Sequence, residues 1–349
     1  VINLYEKVVT EEKKWTELIS KFKYKDIYFT YNYFKTFSNN GDGEPTLYYF
    51  ECEDGCVAYP FMLREINTHT NDFDKHLYDI SSVYGYGGPL YKVNSNLESL
   101  LSKFQSHFDN YCLRRNIISQ FDRFHPLLEN QNFFMDYEDI IYNRKTITMD
   151  LSETKIVWEN IHPKCKNMIR KAFKNNVVCI INDRKETIND FIEIYHQSMK
   201  NKNANDYYFF DKKFFEESQK LLNSELMICN AYVDDIVICS ILILVSDRYL
   251  HYYLSGTKHE YRNYQPNSAL LYEIAKWGSE NGKEVFHLGG GVSSEEDSLY
   301  KFKKSFNRQN NGERNFYIGK KIHNPHIYNQ LCLLNGKKIE SEFFPAYRK

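Results

Sequence analysis

A chain of 349 residues is longer than one core usually organises, so two α/β domains of roughly 150 residues each are the first expectation. Its 45 Lys and Arg against 46 Asp and Glu leave a net charge of −1, which excludes a polyanion binder acting through bulk charge. No window approaches the roughly 18 consecutive apolar residues of a membrane span, and the start, Val1-Ile2-Asn3-Leu4, lacks a signal-peptide pattern, so a soluble, cytoplasmic protein is expected, although an N-terminal piece without its Met could have been removed.

Residues 11–22 place Trp15, Leu18, Ile19 and Phe22 at helical spacing. Residues 47–50 and 57–62 then bracket the Glu53-Asp54-Gly55 turn as a β-hairpin. The nearby Cys52 and Cys56 form no Cys-x-x-Cys pair and have no neighbouring His, so the eight cysteines are read as reduced and mostly buried, with no metal site. Tyr84-Gly85-Tyr86-Gly87-Gly88-Pro89 turns the backbone sharply beside two tyrosines, as a tight corner or as a ligand-facing loop. Residues 97–116 repeat the helical pattern through Leu100, Leu101, Phe104, Phe108 and Cys112, and 117–121 read as a strand. The first domain is expected to close near Leu151, giving 1–151 and 152–349.

Between Asn160 and Asn182 there is no Asp or Glu. In the helix expected there, Cys165, Met168, Ile169, Ala172 and Phe173 follow the spacing of a buried face, while Lys166, Arg170 and Lys174 run along its flank. Like charges at i, i+4 repel by a few tenths of a kcal/mol, so three in register suit either a solvated face or an anionic ligand. Helices over 190–199 and 213–222 and strands over 226–233, 237–245 and 249–255 follow, with Asp234-Asp235 turning the first two strands. After a polar stretch, Asn267 or Ser268 is expected to cap a helix running through Ala269, Leu270, Leu271, Ile274, Ala275 and Trp277. The free N–H groups of such an end suit a phosphate, a carboxylate or a developing oxyanion. Gly282 ends that helix, a strand follows over 284–288, and Gly289-Gly290-Gly291 permits a close approach of ligand or backbone, or is a plain loop. The same order of elements appears more faintly before residue 150, which suggests an internal duplication of fold. From Ser298 to Lys349 eleven Lys or Arg face three acids.

Several of these blocks, in this order, resemble the Fem-type transferases. They are Trp158; Lys164 to Ala172; Phe191-Ile192-Glu193-Ile194-Tyr195; Tyr207-Tyr208-Phe209; His251-Tyr252-Tyr253-Leu254-Ser255-Gly256; Pro266-Asn267-Ser268-Ala269-Leu270-Leu271; the Gly282 to Gly291 strand; and Phe302-Lys303-Lys304-Ser305-Phe306. The likeness covers about 150 residues, and Tyr84 to Pro89 resembles the family's Gly-Gly-Pro element. It implies two tandem GNAT-like (Gcn5-related acyltransferase) domains with mixed, mostly antiparallel sheets flanked by helices. Members transfer an amino acid from aminoacyl-tRNA, or an acyl group from acyl-coenzyme A, to an amine, in the Fem case on a peptidoglycan precursor. By that likeness Lys166 and Arg170 hold an anionic acceptor, Tyr84, Tyr86 and Tyr208 line its groove, Asn267, Ser268, Ala269 and Gly290 meet the donor, and Lys303 sits at the reacting carbonyl. The chain departs from the coenzyme A pyrophosphate loop, having Arg262-Asn263-Tyr264-Gln265-Pro266-Asn267 without its glycines, and it lacks room for the long helical arm of some members.

No Ser/His/Asp, Cys/His or paired-carboxylate spacing supplies a strong base. Tyr253 is the expected proton donor to the leaving group and Lys303 the expected oxyanion stabiliser. The leading expectation is an aminoacyl or acyl transferase acting on a cell-envelope precursor, with no tightly bound cofactor and with tRNA reachable by the basic C-terminal end. The competing readings are an acyl-coenzyme A-dependent N-acyltransferase of surface-polysaccharide or natural-product synthesis, and a non-catalytic binding module of the same fold.

Overall fold

The computed structural model describes residues 4–66, 73, 75–182, 188–202, 205–293, 296–338, 341 and 343–349. The chain forms two compact units, Val1–Asn143 with Phe316–Lys349, and Arg144–Asn315. Residues 316–349, expected in the second half, therefore pack with the first, because they supply one of its strands and the cover of one of its apolar clusters.

The first unit begins with β1 (Tyr5–Val9), α1 (Glu12–Ser20), α2 (Tyr31–Asn39), β2 (Glu44–Cys52), β3 (Gly55–Glu65), β4 (Tyr78–Ser81), β5 (Leu90–Val93), α3 (Leu97–Arg114) and β6 (Ile117–Arg123). Strands β2 and β3 form the expected hairpin, Cys52↔Gly55 closing it. Its turn is tied down by Asp54, whose carboxylate accepts from Ser95 Oγ (2.6 Å), Ser99 Oγ (2.6 Å) and Lys103 Nζ (2.8 Å) at the start of α3. The helical stripe works as its spacing demands: Leu100, Phe104, Phe108 and Cys112 are buried against Tyr48, Phe50 and Tyr59 of the hairpin.

The second unit takes β7 (Asp139–Asp150) from Arg144 on, then α4 (Thr154–Asn160), α5 (Pro163–Lys174), β8 (Val178–Ile180), α6 (Ile188–Asn201), α7 (Lys212–Leu222), β9 (Leu226–Val233), β10 (Ile236–Val245), β11 (Tyr249–Thr257), α8 (Pro266–Glu280), β12 (Val285–Gly290) and α9 (Ser298–Lys304). Its strands lie in the order β7-β12-β11-β10-β9-β8, all antiparallel except β11 with β12. The β9–β10 turn puts Asp234 at φ 48° and Asp235 at φ 63°, the left-handed pair a tight hairpin needs and short polar side chains tolerate. Helices α5 and α8 pack on the sheet through Cys165, Ile169 and Ala172 and through Ala269, Leu270, Leu271, Ile274 and Ala275, all buried in one cluster. Phe173 departs from the expected stripe, being 41 % exposed, because it lies at the outer edge of that face.

The chain returns to the first unit with β13 (Glu313–Ile322, from Phe316 on) and α10 (Pro325–Leu334). The first sheet then reads β1-β2-β3-β4-β6-β13 with β5 on β3, antiparallel except for β4 with β6. The chain end is latched: buried Asp79 accepts from Arg64 Nε (2.7 Å), Arg348 Nε (2.5 Å) and Tyr347 OH (3.0 Å). All eight cysteines are free thiols, seven of them buried. Among the described residues no helix is long and apolar enough to cross a membrane.

Candidate active site

The expected working end is a strand, helix, strand unit made by β11, α8 and β12. The parallel ladder between the strands lasts only from Tyr249↔Val285 to His251↔His287. Beyond it β11 continues on β10 to Thr257, and β12 continues on β7 after a register shift between His287 and Gly289. Each strand keeps its outer neighbour and loses its inner one, which opens the sheet at its C-terminal strand ends, where α/β sheets bind ligands.

Lys303 occupies this end. Its α9 helix is capped by Asp297, which accepts from Tyr300 N (2.8 Å), and the side chain is 8 % exposed. The Nζ donates to the carbonyl of Gly290, the last residue of β12, at 2.7 Å and lies 5.4 Å from the centre of the Tyr252 ring. Burial brings its pKa down to about 7; Asp297 pulls upward, and Lys202 and Arg144 push further down. A lysine that changes charge near neutral pH in such a position is suited to an electrostatic or proton-transfer role.

Helix α8 begins at Pro266, and the residue at its cap is Gln265 rather than Asn267 or Ser268. Gln265 takes the left-handed conformation, φ 61°, with no side-chain cap, because Pro266 fixes the first helical position and moves the cap back by two residues from Asn267. Asn267 thus lies in the first turn. Its Nδ2 reaches Tyr252 OH (3.4 Å), which pairs with Ser255 Oγ (2.6 Å), and its buried Oδ1 has no protein partner. Ser268 and Ala269 are buried beneath that turn.

Tyr253 sits where β11 and β10 slip register, Leu242 facing Leu254 and Ile243 facing Tyr252, so it is the extra residue of a β-bulge and is half-buried. The tyrosine that meets Lys303, Ser255 and Asn267 is Tyr252. Strict alternation along β11 hides this, since a bulge is set by cross-strand pairing and carries no local signature.

The glycine run serves the protein's own packing. Gly289 has φ 73°; a Cβ at Gly290 would come within 2.7 Å of Lys145 O, and one at Gly291 within 2.6 Å of the Asp297 carboxylate. Arg144 donates to Gly291 O (2.8 Å) and Val292 O (2.7 Å), while Asp297 accepts from Val292 N (2.6 Å) and Ser293 N (3.0 Å). Neither residue stands out in the sequence as part of a site, although Asp297 one residue before a helix is a readable cap.

On α5, Lys166 Nζ and Arg170 Cζ each lie 5.3 Å from the Trp158 ring centre, and their other bonds are to Glu159 O (3.3 Å) and Asn167 Oδ1 (3.1 Å) at the surface. Tyr208 is 37 % exposed beyond α6, its carbonyl held by Tyr195 OH at 2.8 Å. Tyr84 and Tyr86 belong to the first unit, half-buried in a clamped corner. Asn130 Nδ2 donates to Gly87 O (2.8 Å) and Pro89 O (3.0 Å), the Tyr84 ring is 5.5 Å from Phe37, and the Tyr86 ring is 5.3 Å from Tyr28. Of the basic C-terminal residues, Lys304 pairs with Glu313 (2.8 Å), Lys321 with Asp109 (3.1 Å) and Arg348 with Asp79, while Lys303 is buried.

Comparison with known proteins agrees with this architecture. Residues 163–304 match the family described as an acetyltransferase (GNAT) domain. The fold is similar to the crystal structure of FemX (TM-score 0.68, 11 % identity, 93 % of this chain and 99 % of that one) and to that of L-PGS from Bacillus licheniformis (0.57, 9 %, 93 % and 96 %). It is also similar to a tandem GNAT protein from the clavulanic acid biosynthesis pathway (0.52, 6 %, 93 % and 99 %). No curated protein matches the sequence. The chain thus has a fold similar to that of FemX and of a tandem GNAT protein, and the residues that match the acetyltransferase (GNAT) domain lie in its second unit.

Proposed function

We propose that this tandem GNAT acyltransferase transfers an aminoacyl or acyl group to the amine of an anionic cell-envelope precursor, with the reacting carbonyl held beside Lys303. The observation that carries the reading is the buried ammonium of Lys303 on the Gly290 carbonyl, where the β11–β12 ladder ends. The neutral acceptor amine attacks the donor carbonyl, a C–N bond forms, and the carbonyl electrons move to oxygen. As the tetrahedral intermediate collapses, the bond to the thiol or hydroxyl leaving group breaks, the leaving group takes up a proton, and the extra proton on the acceptor nitrogen is lost in turn, restoring the group that donated. Lys303 in its charged form stabilises the oxyanion, a contribution of about 2.7–4 kcal/mol for one good donor in a buried site. Freeing a lysine-like acceptor of its proton at pH 7 costs roughly 4–5 kcal/mol, which orientation of amine and carbonyl, worth about 7–11 kcal/mol, offsets without a strong base. Lys166 and Arg170 hold the phosphates or carboxylate of the acceptor, and Tyr208 borders it. The proton for the leaving group comes from the β11 tyrosines, Tyr253 by its place near the end of the strand and Tyr252 by its contacts.

Acyl-coenzyme A is the second donor reading. It is favoured by Gln265, which takes at the start of α8 the left-handed backbone that glycine usually supplies. The test presents labelled acyl-coenzyme A or aminoacyl-tRNA with a lipid-linked or nucleotide-linked amine precursor. Transfer that falls at least tenfold in Lys303→Ala, with folding intact, is the expected result. Unchanged turnover in that variant removes Lys303 from the site, transfer from acyl-coenzyme A alone removes tRNA, and binding without transfer from either donor removes the enzyme reading.

A further inference from the structure

The loop that follows β12 is gripped from both of its hydrogen-bonding sides. Its carbonyls at Gly291 and Val292 point to one guanidinium nitrogen of Arg144, and its amides at Val292 and Ser293 point to one carboxylate oxygen of Asp297. The other Asp297 oxygen caps α9, the helix that carries Lys303, through Tyr300 N. Gly290, immediately before the gripped residues, supplies the carbonyl to which Lys303 donates. The same two side chains therefore fix the acceptor of the Lys303 bond and the base of the Lys303 helix. The grip also accounts for the glycines, since a side chain at 291 would overlap the Asp297 carboxylate and one at 290 would press on β7 at Lys145 and on the stem of Arg144.

The two residues act on the lysine in opposite electrical senses. Asp297 favours its charged form, and Arg144 disfavours it together with Lys202, which follows α6. The Tyr252 ring of β11 lies 5.4 Å from the ammonium, and among the described residues the charged groups that act on Lys303 are Asp297 before α9, Lys202 after α6 and Arg144 of β7. A buried hydrogen-bonded charge responds strongly to such neighbours because the low local dielectric screens them little. Backbone hydrogen bonds, that of Tyr300 foremost and then those of Ser293, Val292 and Leu299, hold the Asp297 carboxylate well below the usual range, at about 2, so its charge is constant throughout the working pH range.

We infer that Arg144 and Asp297 are an opposed pair of positioning residues: one grips the carbonyls and the other the amides of residues 291–293, so that the Gly290 carbonyl is held against the Lys303 ammonium. This rests on the reading of Lys303 as the charged group of the site, yet it can be measured without any substrate. Lys303 is titrated directly in the full-length protein by NMR with side-chain 13C-labelled lysine, its signal assigned by its loss in Lys303→Arg. Asp297→Asn keeps the cap geometry and removes the charge; Arg144→Met keeps the stem against Gly290 and removes the charge. The expected result is a Lys303 midpoint about half a pH unit or more lower in Asp297→Asn and higher by a similar amount in Arg144→Met. Midpoints that stay put, or that move the same way in both variants, overturn the inference, as does a Lys303 midpoint that stays at a solvent-exposed lysine's value in the wild type. Opposite shifts in a protein that shows no transfer uphold the pair and sink the functional reading instead, so the two failures are distinguishable. Should Arg144→Met fail to fold, Arg144→Gln removes the same charge and tests the same upward shift.

Discussion

The two units contain the same kind of element, a parallel strand pair joined through a helix, and finish it in opposite ways. In the first unit the ladder of β4 and β6 does not stop at Ser81↔Phe121. Ser82 N donates to Phe121 O (2.9 Å), Gly87 N to Arg123 O (2.7 Å), and a bridge joins Gly87 to Phe124, so the segment after β4 closes over the strand ends. In the second unit the corresponding ladder ends at its third pair, and the position is taken by a buried lysine. The buried charges differ accordingly. Beside the closed ladder, Asp122 and Glu138 are both held upward in pKa by burial, and Tyr59, Ser82 and Gln120 surround Asp122. Gln120 ties Asp122 to Glu138, whose second oxygen is buried without a hydrogen-bond partner, whereas Lys303 at the open end donates to one backbone carbonyl.

The hardest test of the contrast is Lys303→Met. Transfer should fall at least tenfold and on the order of 100-fold, while thermal stability at pH 7 rises by about 1–3 kcal/mol, because an apolar isostere replaces a buried charge. The sign follows from linkage. The folded lysine titrates near 7 and the unfolded one near 10.5, so between those values the unfolded chain binds more protons and this group makes stability increase with pH. The stability advantage of Lys303→Met over wild type should therefore shrink from pH 7 toward pH 10, as followed by denaturant melts. If Lys303 acts in its charged form, kcat/KM should descend above about pH 7; a profile rising through that region would assign it as a base instead.

In the first unit Asp122→Ala should cost about 2–4 kcal/mol by leaving buried donors without a partner, with kcat unaltered in the molecules that fold. A kcat loss exceeding the loss of folded protein would break the comparison by placing chemistry in the closed unit. Glu138→Gln is the milder change. Glu138 holds its proton to higher pH in the folded state than in the unfolded one, so its contribution weakens as pH rises from about 4.5; the variant should lose less stability over that rise and differ by about 1 kcal/mol or less at pH 4. The smallest effect separates two neighbours: Tyr252→Phe should lower kcat several-fold by removing the hydroxyl held between Ser255 and Asn267, and Tyr253→Phe should lower it less. The reverse order would restore Tyr253 as the proton donor.

What the sequence determined by itself is the part governed by local pattern. Helical spacing of Leu100, Phe104, Phe108 and Cys112, or of Cys165, Ile169 and Ala172, decides which face a helix buries, and Asp54-Gly55 and Asp234-Asp235 decide where hairpins turn, because side-chain direction and backbone φ are properties of a few consecutive residues. The order of blocks around Lys303 was legible for the same reason. Tertiary structure alone decided the local arrangement: the bulge at Tyr253 that leaves Tyr252 beside Ser255, Asn267 and Lys303, the move of the helix cap to Gln265, and the close packing around the glycine run. It also decided the grip of Arg144 on a loop almost 150 residues away in the chain and the return of residues 316–349 to the first unit. Those features depend on which distant segments share a ladder and on how deeply a charge is buried. Neither is carried by sequence spacing, since contact between remote segments is selected by the packing of the whole core.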